Sequence, residues 1–361
     1  MIYYLLVMVL CLFSFINQLK PVKANLDILK FIAFILILFI GGLRFEVGAD
    51  WLSYEKLFNR VATFYDIFLS REEKLFMFFQ YVCKTIFNSY SFFVFSLFAF
   101  TFYLKYKILV RYSTDIFLSL IVYIYTLFLI YDLNGLRQGM AIAIVLASIP
   151  AILNKRKYLF LILISVASLC HTSAIVFFPF YWLARIKIAP SKILMSTFVC
   201  LLISTLIKEI ILNSSLFQFL LLMDNFSHYS YYLDSEAANK EISVFSVSVF
   251  QRFLVFIIFI INYNKLKCDE VLKRFLLNGY FIAIVIFVFL SFNSEYAARL
   301  SFYYKSLELF MIPIIVSSQK KLESKIIMWG LFVVLCLLGM YRLLEVPDAG
   351  LLPYKSILFY F

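Results

Sequence analysis

LLNGYFIAIVIFVFLSF, residues 276–292, runs for 17 positions without a charged side chain. A run of that length without the polar and apolar alternation of a barrel strand satisfies its backbone in hydrocarbon only as a helix. Similar runs recur along the 361 residues between short charged clusters, and the chain is 64% hydrophobic, 15% charged, with mean hydropathy +0.95. A soluble domain of this size could not keep that balance in water. The reading is an all-α polytopic integral membrane protein, one transmembrane domain over residues 1–361. It has about 12–14 hydrophobic segments, re-entrant or interfacial helices among them.

The net charge of +12 does not indicate nucleic acid, because the lysines and arginines sit in the gaps between apolar runs rather than on one face. Positive-inside bias explains them. It makes cytoplasmic the gaps around Lys20/Lys23/Lys30, Lys105/Lys107/Arg111, Lys155/Arg156/Lys157, Arg185/Lys187/Lys192, Lys265/Lys267/Lys273/Arg274 and Lys320/Lys321/Lys325. The remaining gaps then face outward, with outer loops at about 44–90 and 208–243 and a C-terminal interfacial segment at about 345–361. Residues 1–19 read as a retained first span rather than a cleaved signal. The six cysteines show no CxxC spacing and no Cys/His cluster, so neither disulfides, nor a metal site, nor a cofactor is expected.

Two segments strain this alternation. Residues 75–87 must lie at the outer interface or re-enter, since a full span there would invert every later basic loop; Lys84 suits a helix at the surface. Residues 158–183 have basic flanks at both ends and read as two short helices meeting near Cys170-His171-Thr172-Ser173. Arms of about 13 residues reach roughly 20 Å, less than the hydrocarbon core, which puts His171 at the floor of an outward cavity.

Polar residues at the ends of apolar runs are expensive and are candidates for function. In residues 41–54, GGLRFEVGADWLSY, Arg44 and Asp50 flank a glycine-bearing turn. The structural alternative is a membrane-interface anchor, with Trp51 and Tyr54 in the aromatic belt. In residues 132–141, DLNGLRQGMA, Arg137 and Gln138 open a helix with Asn134 as its N-cap, an arrangement suited to an anion; alternatively Asp132 and Arg137 pair and Gly139 packs closely. His171 is either a satisfied hydrogen-bonding residue or a catalytic base. His228 suits an exposed loop. In residues 293–304, NSEYAARLSFYY, Glu295 and Arg299 stand at i and i+4, so a helix pair is the plain alternative. Arg44, Arg137 and Arg299, all on one side, suggest a pyrophosphate clamp, since guanidinium stays charged and donates in a fork.

These motifs, in order, resemble the Wzy-type polysaccharide repeat-unit polymerases of the EpsG-like branch. The resemblance is carried by Gly42-Leu43-Arg44-Phe45-x-x-Gly48-x-Asp50-x-x-x-Tyr54, Asn134-x-x-Arg137-Gln138-x-x-Ala141, Cys170-His171-x-Ser173-Ala174 and Arg299-x-x-x-Tyr303, over roughly residues 1–318. It departs at Phe45, where a tyrosine is common, and at Ala49, where a threonine is. It implies a membrane glycosyltransferase C-like helical bundle in the bacterial plasma (inner) membrane, its site facing the periplasm or exterior. Donor and acceptor would both be undecaprenyl-pyrophosphate-linked oligosaccharide, transfer would need no metal, membrane lipid would be a partner, and a chain-length-regulating co-polymerase another. The implied products are O-antigen, capsule or exopolysaccharide. The chemistry needs a base at the acceptor hydroxyl and cations at the leaving pyrophosphate. His171 is the expected base, with Arg137 and Arg299 as pyrophosphate ligands. Arg44, Asp50, Tyr54, Gln138, Glu295 and Tyr303 are the expected substrate-binding residues.

A transporter or flippase for the same lipid also needs arginines, but predicts charges near mid-membrane and related halves. A membrane sugar acyltransferase would use the histidine and leave the three arginines without a task.

Overall fold

The computed structural model describes residues 1–18, 23–212 and 246–359. The expected outer loop at about 208–243 lies outside the described residues from 213 on, His228 with it. Among those described, helices dominate and the only sheet-like feature is one isolated antiparallel bridge, Arg44 to Ser356. Five helices among the described residues are long and apolar enough to cross a membrane: Asn25–Gly42, Tyr90–Tyr112, Leu136–Leu153, Glu270–Phe289 and Leu322–Leu344. Shorter apolar helices accompany them. The chain is a multi-pass, all-α membrane protein.

Two compact units make up the chain, Met1–Phe178 with Leu309–Phe361, and Pro179–Glu308. The first unit contains α1 (Ile2–Gln18), α2 (Lys23–Gly42), α3 (Trp51–Arg60), α4 (Asp66–Leu69), α5 (Lys74–Phe87), α6 (Tyr90–Tyr112), α7 (Ile116–Tyr123), a π-helical turn Ile124–Asp132, α8 (Leu136–Ala147), α9 (Ile149–Leu153) and α10 (Lys157–Cys170). It also holds the last long helix, Leu322–Leu344. At its centre α6 packs on α2 and α8, and α10 packs on α8 and α5. Gly41 lets α2 approach α6 this closely, since a Cβ there would lie 2.3 Å from the Phe98 ring. A Cβ at Gly42 would likewise lie 2.7 Å from the Phe95 ring, so both glycines serve helix packing at the end of α2. Asp115 caps α7 by accepting from the Phe117 and Leu118 amides, and also accepts from Ser14 at 2.7 Å, which ties α1 to α7.

At 14 residues α5 is about 21 Å long, too short to cross a bilayer. Lys84 does more than sit at a surface. Its amine donates to the Phe58 and Asn59 carbonyls at 3.0 and 2.7 Å, at the C-terminal end of α3, where orphan carbonyls and the helix dipole favour a cation. The expectation for Lys105 is corrected: it is not part of a charged loop but lies fully buried within α6, ion-paired with Asp132. Tyr123 donates to the other Asp132 oxygen at 2.6 Å. Deep burial of a charge is tolerated only with such pairing, and removing one partner of a buried pair costs about 3–5 kcal/mol.

The second unit comprises α11 (Phe180–Leu183), α12 (Pro190–Leu212) and the helices Val247–Ile261, Glu270–Phe289 and Ser294–Lys305. Helix Glu270–Phe289 is its axis, packing on α12, Val247–Ile261 and Ser294–Lys305. Asn278 on that axis donates to the Leu183 and Ile186 carbonyls, each at 2.9 Å, and closes the end of α11. Arg252 is buried with its guanidinium 3.5 Å from the Phe287 ring centre.

Candidate functional site

The segment after α2 is fixed from two directions. Gly48 adopts φ +110 and faces the Leu133 carbonyl, where a Cβ would stand 2.3 Å away, so glycine is required on both counts. The C-terminal tail pairs with it: Phe45 N–H donates to Lys355 O (3.1 Å), Ile357 N–H to Leu43 O (2.9 Å) and Gly48 N–H to Gly350 O (2.8 Å), and Lys355 meets Glu46 at 2.7 Å. The tail read as an interfacial segment is thus a brace for this turn.

Arg44, expected as a third pyrophosphate cation, is instead enclosed at 1% exposure, donating to the Asp132 carbonyl at 2.6 Å and lying 5.9 Å from the Trp51 ring. Trp51 and Tyr54 are buried rather than placed in an aromatic belt. Trp51 packs edge-on against Tyr90, with ring centres 4.9 Å apart. The Asn134 expectation also changes. Gly135 occupies the N-cap position of α8, while Asn134 Oδ1 accepts from Ala49 N–H at 2.6 Å and its amide donates to Leu129 O at 3.1 Å. Lys105, Tyr123, Arg44 and Asn134 together lock residues 132–134, immediately before Arg137.

Arg137 and Asp132 do not pair. The Arg137 guanidinium meets Glu73 Oε2 at 2.7 Å and also contacts Glu72. The other oxygen of Glu73, Oε1, lies 2.6 Å from His171 Nδ1, and the Thr172 amide points at the same oxygen from 3.4 Å. The tyrosyl hydroxyl of Tyr54 lies beside Arg137. Asp50 is exposed at the start of α3, and Gln138 is buried next to Arg137 in α8. One carboxylate therefore joins the expected base to an expected phosphate ligand.

Local sequence explains why these groups can meet. The chain leaves α10 at His171, which is extended (φ −158, ψ 119), and re-enters a 3-10 turn at Thr172–Phe177. Thr172 and Ser173, which favour helix ends over helix interiors, follow the break. The expected break of residues 158–183 near His171 is present. Glu73 sits at the N-cap of α5 without capping it, its side chain directed to His171 and Arg137 instead.

Burial pushes the Glu73 carboxyl up, but the hydrogen bond with His171 and the charge of Arg137 outweigh it and bring it to about 2. At such a value Glu73 is a fixed anion, too weak a base to carry a proton at neutral pH. Burial moves the Tyr54 hydroxyl up despite Arg137, so it is a neutral donor. Glu72 and Glu73 escaped the sequence reading. Their only signal is position, two acids separated by Lys74 from the apolar run 75–87, in a loop where acids slightly outnumber bases.

In the second unit, Arg299 Nε pairs with Glu295 Oε2 at 2.7 Å, one turn apart on helix Ser294–Lys305. That is the plain helix pair. Tyr303, expected to bind substrate, is fully buried and packs in the interior. Among the described residues no group of three or more His, Cys, Asp or Glu side chains has the arrangement of a metal site.

No curated protein and no solved structure matches the chain. The family model described as the EpsG family matches residues 27–356, nearly the whole length and including the C-terminal brace through Ser356. The motifs that carried the resemblance, from Gly42 to Tyr303, all lie inside the matched region, and the chain belongs to the EpsG family.

Proposed function

We propose that the chain is an oligosaccharide repeat-unit polymerase, a glycosyltransferase that moves a growing glycan from undecaprenyl pyrophosphate onto the next lipid-linked unit. Family membership supports a membrane polysaccharide polymerase-like role in general. The observation that carries the finer reading is the joining of His171 and Arg137 through Glu73 within hydrogen-bond distance. Glycosyl transfer from a lipid pyrophosphate needs a base and a leaving-group cation that close.

In the proposed step the acceptor hydroxyl oxygen bonds to the anomeric carbon of the donor glycan. Its proton passes to Nε2 of His171. The bond from anomeric carbon to phosphate oxygen breaks, and its electron pair stays on the pyrophosphate, whose added charge Arg137 meets with a forked pair of N–H donors. The proton then leaves His171 for solvent. Glu72, the more exposed carboxylate on Arg137, is the one that an incoming pyrophosphate displaces. Asp50 and Gln138 are assigned to the sugar and Tyr54 to holding Arg137. The positive-inside reading puts this cluster on the periplasmic or external side of the plasma membrane.

Purified protein incubated in chelator with a defined polyprenyl-pyrophosphate oligosaccharide is expected to yield a ladder of lipid-linked multimers. A single band after prolonged incubation, with the lipid intact and restored metal making no difference, would overturn the polymerase reading.

One observation favours the transporter reading: Lys105 and Asp132 are charges deep within a membrane-spanning helix bundle. Both Asp132 oxygens are nevertheless taken, by Lys105 and Tyr123. The pair closes on itself rather than lining a path.

A further inference from the structure

We infer that Glu73 is a positioning residue that sets the tautomer of His171 and ties that base to Arg137. This rests on the polymerase reading for its function, but not for its geometry. Three bonds fix the carboxylate, to His171 Nδ1 at 2.6 Å, Thr172 N–H at 3.4 Å and Arg137 at 2.7 Å. The side chain makes these bonds and none to the α5 amides that it precedes. An ionised carboxylate only accepts hydrogen bonds, so Nδ1 must hold the ring proton. Nε2 is then left with its lone pair, ready to accept a proton from a hydroxyl. Without Glu73 the ring has no reason to choose that tautomer, and a base protonated at the wrong nitrogen cannot act.

The same carboxylate holds Arg137 by its second oxygen. Base and leaving-group cation are therefore referenced to one rigid two-oxygen group rather than to separate elements, α10 and α8. When Nε2 takes the proton, the imidazolium remains against an anion, which stabilises the charge as it forms. Both acids face Arg137, but only Glu73 reaches the imidazole, so the two carboxylates have separable tasks.

The chain has two histidines, which makes the tautomer directly readable. With His228→Gln as background, 15N-histidine labelling leaves one ring, that of His171. Nitrogen spectra in detergent or nanodiscs are expected to show the proton on Nδ1, and Glu73→Gln, whose amide can donate to Nδ1, is expected to move it to Nε2. Polymer formation by Glu73→Gln should fall on the order of 10²-fold. In a His171→Ala background, read as single-unit transfer, the same substitution should cost far less than it does alone, because two residues acting as a unit are not additive and only the hold on Arg137 is left to lose.

A proton on Nε2 in the unsubstituted ring overturns the inference, and that spectrum requires no variant at Glu73 to fold. Full activity of Glu73→Gln, or additive losses, overturns it as well. If the spectra follow expectation but the parent protein makes no ladder, the tautomer assignment stands and the polymerase reading falls.

Discussion

His171→Ala is expected to abolish the ladder while lipid-linked single units still bind. General-base catalysis contributes about 10²–10⁴-fold, and the remaining cluster supplies no substitute. Glu73, the nearest carboxylate, is held at about 2 and cannot accept a proton at neutral pH. Tyr54 is a neutral hydroxyl whose own proton is held more tightly than usual by burial. The loss should fall on turnover rather than on donor affinity, since in the proposed step the imidazole meets the acceptor hydroxyl and Arg137 is left in place. Removing the ring opens a gap at the α10 break, where His171 is buried, yet the helix ends there through a backbone bond, His171 N–H to Ala167 O, that alanine keeps, so folding should survive. Initial rates from a defined donor and acceptor, with binding measured separately on the same preparation, check both halves. Long polymer from this variant would remove His171 as the base.

Arg137→Lys is expected to cost about 10²–10³-fold in transfer, the range seen when one donor to developing charge is removed. The charge is retained, so the pair with Glu73 can partly re-form and the fold should hold. An ammonium lacks the planar fork, however, and cannot serve Glu73 and a phosphate oxygen together in one plane. In the proposed step Arg137 meets both, with Tyr54 and residues 132–134 fixing its approach. Initial rates at saturating donor, compared with donor affinity, separate lost charge stabilisation from lost binding. Wild-type turnover in this variant would reduce Arg137 to a structural tie for the Glu72–Glu73 loop.

The spans were legible because hydrocarbon leaves the backbone no alternative to helix: residues 276–292 could be read from apolar length alone, and the broken segment at His171 from basic flanks and polar residues at its middle. Lys105 was misread for a geometric reason. It lies two residues from Lys107, and on a helix that separation turns side chains to nearly opposite faces, so one lysine of a single cluster enters the core and the other stays outside. Arg44 carries the charge and motif of a ligand, but its burial depends on a carbonyl 88 residues away, which no local pattern reports. The tail that braces residues 43–49 is separated from them by some 300 residues and pairs through backbone atoms, which leave no trace in side-chain type. Glu73 had the weakest signal of all. An acid in a polar loop is unremarked until folding brings His171, 98 residues on, against it.

The most direct test is an experimental structure of the protein with a non-transferable polyprenyl-pyrophosphate oligosaccharide bound. The expected density places a phosphate oxygen within about 3 Å of the Arg137 guanidinium, in the place now taken by Glu72, and an acceptor hydroxyl at a similar distance from Nε2 of His171. Pyrophosphate bound away from Arg137, with the pair of His171 and Glu73 facing no substrate group, would contradict the account.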